Sequence, residues 1–224
     1  MLAPSAPARS RDDHVGDGSP CHLGHTDWLH HRLIVSGPVA DIAAFRAAAA
    51  GAGTIPWHLD LDRLEEDWFH LLVSPPAPQQ RSLSAEGARV FAGQLRAAVS
   101  LRHELGVARV GRSRACPFDL HALVPVPAAM LRLGPDEPAA RDWLWTHWGT
   151  TQALRHVAAD SSHSDGEGQG GQTPMPDGRA ATGDGTIFRV TFWSADWTPW
   201  RALAQIAERW PSLRVEVRPT YELA

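Results

Sequence analysis

The sequence predicts an α+β domain of the ferredoxin-like, split βαβ kind, enlarged by helical insertions. Three observations predict it. The chain opens with a strand that runs into a helix, and it closes with strand, helix and strand. Both halves join strand to helix through a short turn and a proline. A 224-residue chain that is 43% hydrophobic suits one good core better than two.

In the first half, Leu29, His31, Leu33 and Val35 alternate with His30, Arg32, Ile34 and Ser36. That period of two marks a strand with one face toward a core. Ser36-Gly37-Pro38 turns the chain, and Pro38 suits a first helical turn. Val39, Ile42, Phe45 and Ala49 then form one helical stripe, which Gly51 and Gly53 stop.

An insertion is expected over residues 54–115. Leu61, Leu64, Trp68 and Leu71 suit a short helix opened by acids. Pro75, Pro76 and Pro78 break the chain, and Phe91, Leu95, Ala98 and Leu105 suit a longer helix. Phe118 to Val126 reads as the middle strand, through Leu120, Ala122 and Val124. A helix from about Asp136 to Trp148 ends at Gly149. The Gly/Ser/Asp-rich stretch 159–185 is expected to be a flexible loop.

In the closing half, Ile187 to Trp193 reads as a strand with Phe188, Val190 and Phe192 on one face. Thr198 is the expected helix cap and Pro199 the first helical residue. Trp200, Leu203, Ala207 and Trp210 form the expected buried stripe, and Pro211 ends the helix. Leu213, Val215 and Val217 alternate with Arg214, Glu216 and Arg218, a half-buried strand. Residues 1–26 lack periodicity and read as a disordered tail, leaving 27–224 as one domain.

Composition narrows the chemistry. All 21 basic residues are arginine, which excludes a Schiff-base lysine and a P-loop lysine. The net charge of −4 gives no basic field over the whole molecule. Two cysteines, Cys21 and Cys116, are too few for a disulfide scaffold. No run approaches the roughly 18 apolar residues that a membrane span needs. The expected setting is the cytoplasm, and no cofactor or metal is expected.

Several groups suit chemistry, and each has a plainer reading. Cys21, His22 and His25 have metal-ligand spacing but sit in the tail, with no scaffold to hold four ligands. His31 shares a face with Leu29, Leu33 and Val35 and should point at the core, whereas His30 lies beside Arg32 on the other face. Asp60, Asp62, Glu65, Glu66 and Asp67 suit a magnesium site or, more simply, a solvated helix start. Trp143, Trp145 and Trp148, like Trp193, Trp197 and Trp200, suit packing or base stacking.

The richest segment precedes and enters the 118–126 strand. Arg109, Arg112 and Arg114 surround Gly111 and suit a bidentate clamp on a phosphate or carboxylate. Arginines beside Cys116 suit a depressed thiol pKa, with His121 as base and Asp119 on its strand face. Cys116 and His121 lie five residues apart, so on a regular strand they face opposite ways and make a poor dyad. The expected binding residues are Arg109, Arg112, Arg114, Asp119, His121 and Trp148.

Thr26-Asp27-Trp28 running into Leu33-Ile34-Val35-Ser36-Gly37-Pro38 resembles the opening of the YubB-like ferredoxin-like domain family of plasmids and phages. Phe118-Asp119-Leu120 with Val124-Pro125-Val126-Pro127 is similar to its middle strand, and Trp148-Gly149-Thr150 to its tryptophan-glycine-threonine signature. Phe192-Trp193-Ser194-Ala195 through Trp200, then Trp210-Pro211, resembles its closing strand–helix–strand. The resemblance implies a fold and a mobile-element setting, and no reaction. Two functions remain: a non-enzymatic domain binding nucleic acid or a protein partner, and a small hydrolase or transferase using His/Asp or Cys116 chemistry. The first is preferred, because no nucleophile–base–orienter set is visible.

Overall fold

A computed structural model describes residues 26–74, 83–160 and 185–220. The tail residues 1–25, Pro75, Pro76, Pro78 and loop residues 161–184 lie outside the described residues, and Cys21, His22 and His25 with them. The elements run β1 (Trp28–Pro38), α1 (Val39–Ala49), α2 (Leu61–Val73), α3 (Ala85–Val107), α4 (Leu120–Leu123), α5 (Ala128–Leu133), α6 (Pro138–His147), β2 (Arg155–Ala159), β3 (Gly185–Ala195), α7 (Trp200–Arg209) and β4 (Arg214–Thr220). The strands form one antiparallel sheet in the order β2-β3-β1-β4, making the protein a mixed α+β domain. No helix among the described residues is long and apolar enough to cross a membrane.

The expected alternation places the core. Leu33 and Val35 of β1 face Val190 and Phe188 of β3 in register, and all four are buried. Ile42, Phe45 and Ala49 of α1 cover them, with the Phe45 ring edge-on to Phe188 at 5.7 Å. Phe118 stacks on Phe192 at 5.8 Å from the other end of the same layer. Val39, the first residue of α1, is 46% exposed and drops out of the expected stripe.

The middle strand is elsewhere. Residues 118–126 do not join the sheet: they form the short α4 and a loop. Pro125 withholds a ladder donor within the segment, and Pro117 and Pro127 bound it on either side. The remaining polar groups find other partners. Asp119 Oδ1 accepts from the His121 N–H at 2.9 Å, and His121 Nδ1 accepts from the Val126 N–H at 3.2 Å. The Val124 carbonyl accepts from Trp148 Nε1 at 2.9 Å, and the Leu123 carbonyl from Arg209 at 2.6 Å. The fourth strand is β2, paired to β3 with a register shift after Arg155.

The helix after β3 also differs from expectation. Thr198 does not cap it; α7 starts at Trp200, after Pro199. Its buried face is Ala202, Leu203 and Ile206, while Trp200 is half exposed and Ala207 exposed. Periodicity does not record one neighbour of this helix start: a Cβ at Gly149, whose φ is +81°, would lie 3.3 Å from the backbone nitrogens of both Trp200 and Arg201.

Residues 54–115 begin and end at one place. Gly51 and Cys116 exchange both backbone hydrogen bonds, at 2.9 and 3.0 Å, and so close the base of this segment. Beyond it α2 and α3 pack on each other as a helical hairpin. Asp60 caps α2 through the Arg63 N–H, as the acids there predict. The other acids pair with arginines: Asp62 and Glu65 with Arg96, Glu66 with Arg89, Asp67 with Arg63. Among the described residues no group of three or more His, Cys, Asp or Glu could hold a metal ion. α3 turns Ala88 and Ala92 inward, leaving Phe91 and Leu105 of the expected stripe exposed.

Candidate functional site

The expected binding residues do not form one surface. Arg109 and Arg112 are exposed in the turn after α3. Arg114 is engaged: its guanidinium donates to the Ala47 and Ala50 carbonyls and so closes the C-terminal end of α1. Asp119 is buried, taking the Gly53 N–H on Oδ2 at 2.8 Å and the His121 N–H on Oδ1. Trp148 is 1% exposed, its indole N–H spent on Val124. In the same motif the buried Thr150 hydroxyl donates to the Ala195 carbonyl at 2.8 Å. Trp148-Gly149-Thr150 therefore fastens α6 to α4, α7 and the end of β3.

The Cys116 thiol donates to the Phe118 carbonyl at 3.4 Å, and burial pushes its pKa up. The expected depression is absent because Arg114 points away, onto α1. His121 is held neutral by burial, with the Asp119 carboxylate opposing the shift. Its Nδ1 is already an acceptor for Val126.

His31 points into the core as its strand face predicts. Its Nδ1 lies 2.9 Å from the Leu29 carbonyl, which can only accept, so Nδ1 carries the proton. Nε2 then accepts from the Thr198 hydroxyl at 2.8 Å, which occupies the side chain expected to cap α7. Ser194 at the same place donates to the Trp197 carbonyl at 2.6 Å. Burial lowers the His31 pKa.

One buried and one partly buried histidine, both with lowered pKa, set an acid limit. Both folded pKa values lie below the ordinary 6.5, so the unfolded chain binds the extra protons. Their stabilising contribution is complete above pH 6.5 and is lost as pH falls through the folded values. Urea midpoints should therefore drop from pH 7 to pH 5, by at most about 1.4 kcal/mol per pH unit for each histidine. A His121→Gln variant should show a shallower drop; an unchanged profile would place the acid sensitivity elsewhere.

The face of the sheet opposite the core carries a different population. β1 presents Trp28, His30, Arg32, Ile34 and Ser36. In register beside them stand Ile187, Arg189, Thr191 and Trp193 of β3, and Arg214, Glu216, Arg218 and Thr220 of β4. β2 adds Arg155, opposite Trp193. None of these side chains is buried. Trp193 and His30 meet at 5.1 Å between ring centres, and the Arg155 guanidinium lies 4.0 Å from the Trp28 ring centre. An aromatic group thus occupies one end of the face.

The rest of the face is basic. Among the described residues, Arg32, Arg189, Arg214 and Arg218 with Arg155 make five arginines, against the carboxylates of Asp160 and Glu216. Asp160 pairs with Arg32 at 3.1 Å, and Glu216 bridges Arg214 and Arg218 at 2.8 and 3.4 Å. The Arg214, Arg218 and Arg32 side chains are 78, 70 and 53% exposed, so each keeps donors toward solvent. Past the end of the sheet away from the tryptophans, on the side that α1 covers, a groove of about 340 Å³ is lined by Arg46, Arg114, Arg189, Asp160 and Phe188. Arg46 is fixed there by the Ile187 carbonyl at 2.8 Å. The alternation of β1 and β4 already turned Arg32, Arg214 and Arg218 away from the core. Their assembly with Trp28, Trp193 and Arg155 follows only from strand order and register.

No protein-family model matches the chain. No curated protein matches it. Among solved structures the chain is similar to the crystal structure of the protein api92 from Yersinia pseudotuberculosis, labelled with family DUF1281. The identity is 13% over 87% of this chain and 90% of that one, with a TM-score of 0.40.

Proposed function

We propose that the protein is a non-enzymatic domain that binds single-stranded nucleic acid on the open face of its sheet. The observation that carries this reading is the composition of that face. Among the described residues, five arginines against two carboxylates share a surface with Trp28, His30 and Trp193, in a chain whose net charge is −4. Arginines supply contacts to the phosphate backbone, and unstacked bases need aromatic faces. The spacing fits both demands. Along β3, Arg189 and Trp193 are four residues apart, about 13 Å. A strand with bases over the aromatic end therefore reaches Arg189 with its phosphates.

We read the fold itself as ferredoxin-like, with β1–α1–β2 and β3–α7–β4 as its halves and α2 to α6 inserted in the first. The order β2-β3-β1-β4 supports that reading, since each half then brackets a central strand of the other. A place in the YubB-like family, a mobile-element setting and a cytoplasmic location belong to the same proposal. The hydrolase or transferase reading has less behind it. Cys116 carries a raised pKa, His121 Nδ1 is engaged, and Ser194 donates to a backbone carbonyl.

Fluorescence anisotropy with labelled single-stranded DNA and RNA tests the proposal. Binding should weaken with salt at a log–log slope of roughly −2 to −3.5, for three to five phosphate contacts. Arg32→Ala or Arg218→Ala should each flatten that slope by about 0.7. Trp193→Ala should weaken binding roughly 5- to 150-fold, the equivalent of one stacked base. An absence of binding to either strand type at low salt removes the proposal.

A further inference from the structure

Beyond the sheet, two large apolar side chains are held outward by an unusually constrained turn. Trp197 and Trp200 are 57 and 51% exposed. The turn that carries them begins at Asp196, a non-glycine residue at φ +62°. Such a conformation persists where its surroundings hold it. Here they do so from both ends. Asp196 donates its N–H to the Asp27 carbonyl at 2.6 Å, and its Oδ1 accepts from the Asp27 N–H at 3.1 Å. Its Oδ2 accepts from the Thr151 hydroxyl. Ser194 fixes the Trp197 carbonyl, and Thr198 is tied to buried His31.

The turn is continuous with the aromatic end of the open face. Trp28 pairs with Ala195, the last residue of β3, and Asp27 beside Trp28 holds Asp196. Two residues beyond Ala195 the chain carries Trp197, the next exposed aromatic residue after β3. Nothing in the core calls for these two rings: the buried face of α7 is complete with Ala202, Leu203 and Ile206.

We infer that Trp197 and Trp200 form a stacking ledge that extends the sheet site, so that the bound strand continues past the sheet edge onto α7. This rests on the reading of the sheet face as a single-strand site. The occupant is the same strand, because the ledge follows directly on the aromatic end of β3 and presents the π-surfaces that unpaired bases of any sequence accept. From Ile187 to Ala195 the face is about 26 Å long. The ledge lengthens the track, giving a site on the order of six nucleotides.

A length series of labelled thymidine oligonucleotides, from three to twelve residues, separates this inference from the reading beneath it. For the unmodified protein, affinity should rise with length and level off near six. Trp197→Ala and Trp200→Ala should each weaken binding of the twelve-residue strand roughly 5- to 150-fold. They should level off about one nucleotide earlier and bind the three-residue strand as the parent does. Both rings are exposed, so an unchanged thermal midpoint should accompany the loss. If both variants bind the twelve-residue strand like the parent while Trp193→Ala does not, the ledge is refuted and the sheet site stands. If the unmodified protein binds no strand at low salt, both fall together.

Discussion

Replacing Trp148 by alanine is expected to destabilise the protein by about 3–5 kcal/mol, a large share of the 5–15 kcal/mol that holds most domains folded. Trp148 is the largest fully buried side chain. It packs edge-on against Trp143 at 6.3 Å, and Trp143 in turn stacks on His147 at 4.3 Å. Its removal opens a cavity between α4, α6 and α7 and orphans the Val124 carbonyl, which has no strand partner to replace it. Trp148→Phe separates the two effects, keeping most of the packing while losing the hydrogen bond, at about 1–2 kcal/mol. Urea denaturation measures both. Equal losses in the two variants would show that the hydrogen bond, not the cavity, dominates.

Asp119→Ala is the second large effect, at about 3 kcal/mol. The carboxylate is buried and takes two backbone N–H groups, from Gly53 and His121. A Cβ at Gly51 would overlap Asp119 Oδ2, so the backbone there is built around this side chain. Alanine leaves the Gly53 and His121 N–H groups without their acceptor. It also frees the junction where residues 54–115 begin and end, at the Gly51–Cys116 exchange. Asp119→Asn retains one acceptor and should lose less. Amide hydrogen exchange at Gly53, His121 and Cys116 should accelerate more than in the sheet. Uniform acceleration across the whole chain would mean that Asp119 supports global folding rather than this junction.

These two residues show where sequence reasoning reached and where it stopped. Trp148 and Asp119 stood out as candidates for binding, and their chemistry was real, but it is turned inward. A tryptophan followed by Gly-Thr reads alike whether its ring meets a base or a carbonyl. Asp119 reads alike as a strand acid or a helix cap. The misplaced strand has the same origin. Leu120, Ala122 and Val124 alternate as a strand does, yet one proline within the segment, two bounding it, and four local or side-chain hydrogen bonds leave nothing for a ladder. Arg155–Ala159, which is short and interrupted by a register shift, gives almost no periodic signal.

What the sequence determined by itself is the local grammar: β1, β3 and β4 with their buried and open faces, the helices α1, α2, α3, α6 and α7, and the inward direction of His31. Period-two and period-3.6 patterns are written by the core, and they reach the reader because burial of apolar side chains is the dominant selective term. The tertiary structure alone decided which open-face residues become neighbours. Arg32, Arg155, Arg218, Trp28 and Trp193 come from four strands separated by up to 190 positions, Trp28 to Arg218, and only strand order and register bring them onto one surface. None of these side chains is buried in the core, so no hydrophobic period announces them. A binding face of this kind is set by pairing between distant segments, and that pairing is what a single chain of letters does not spell out.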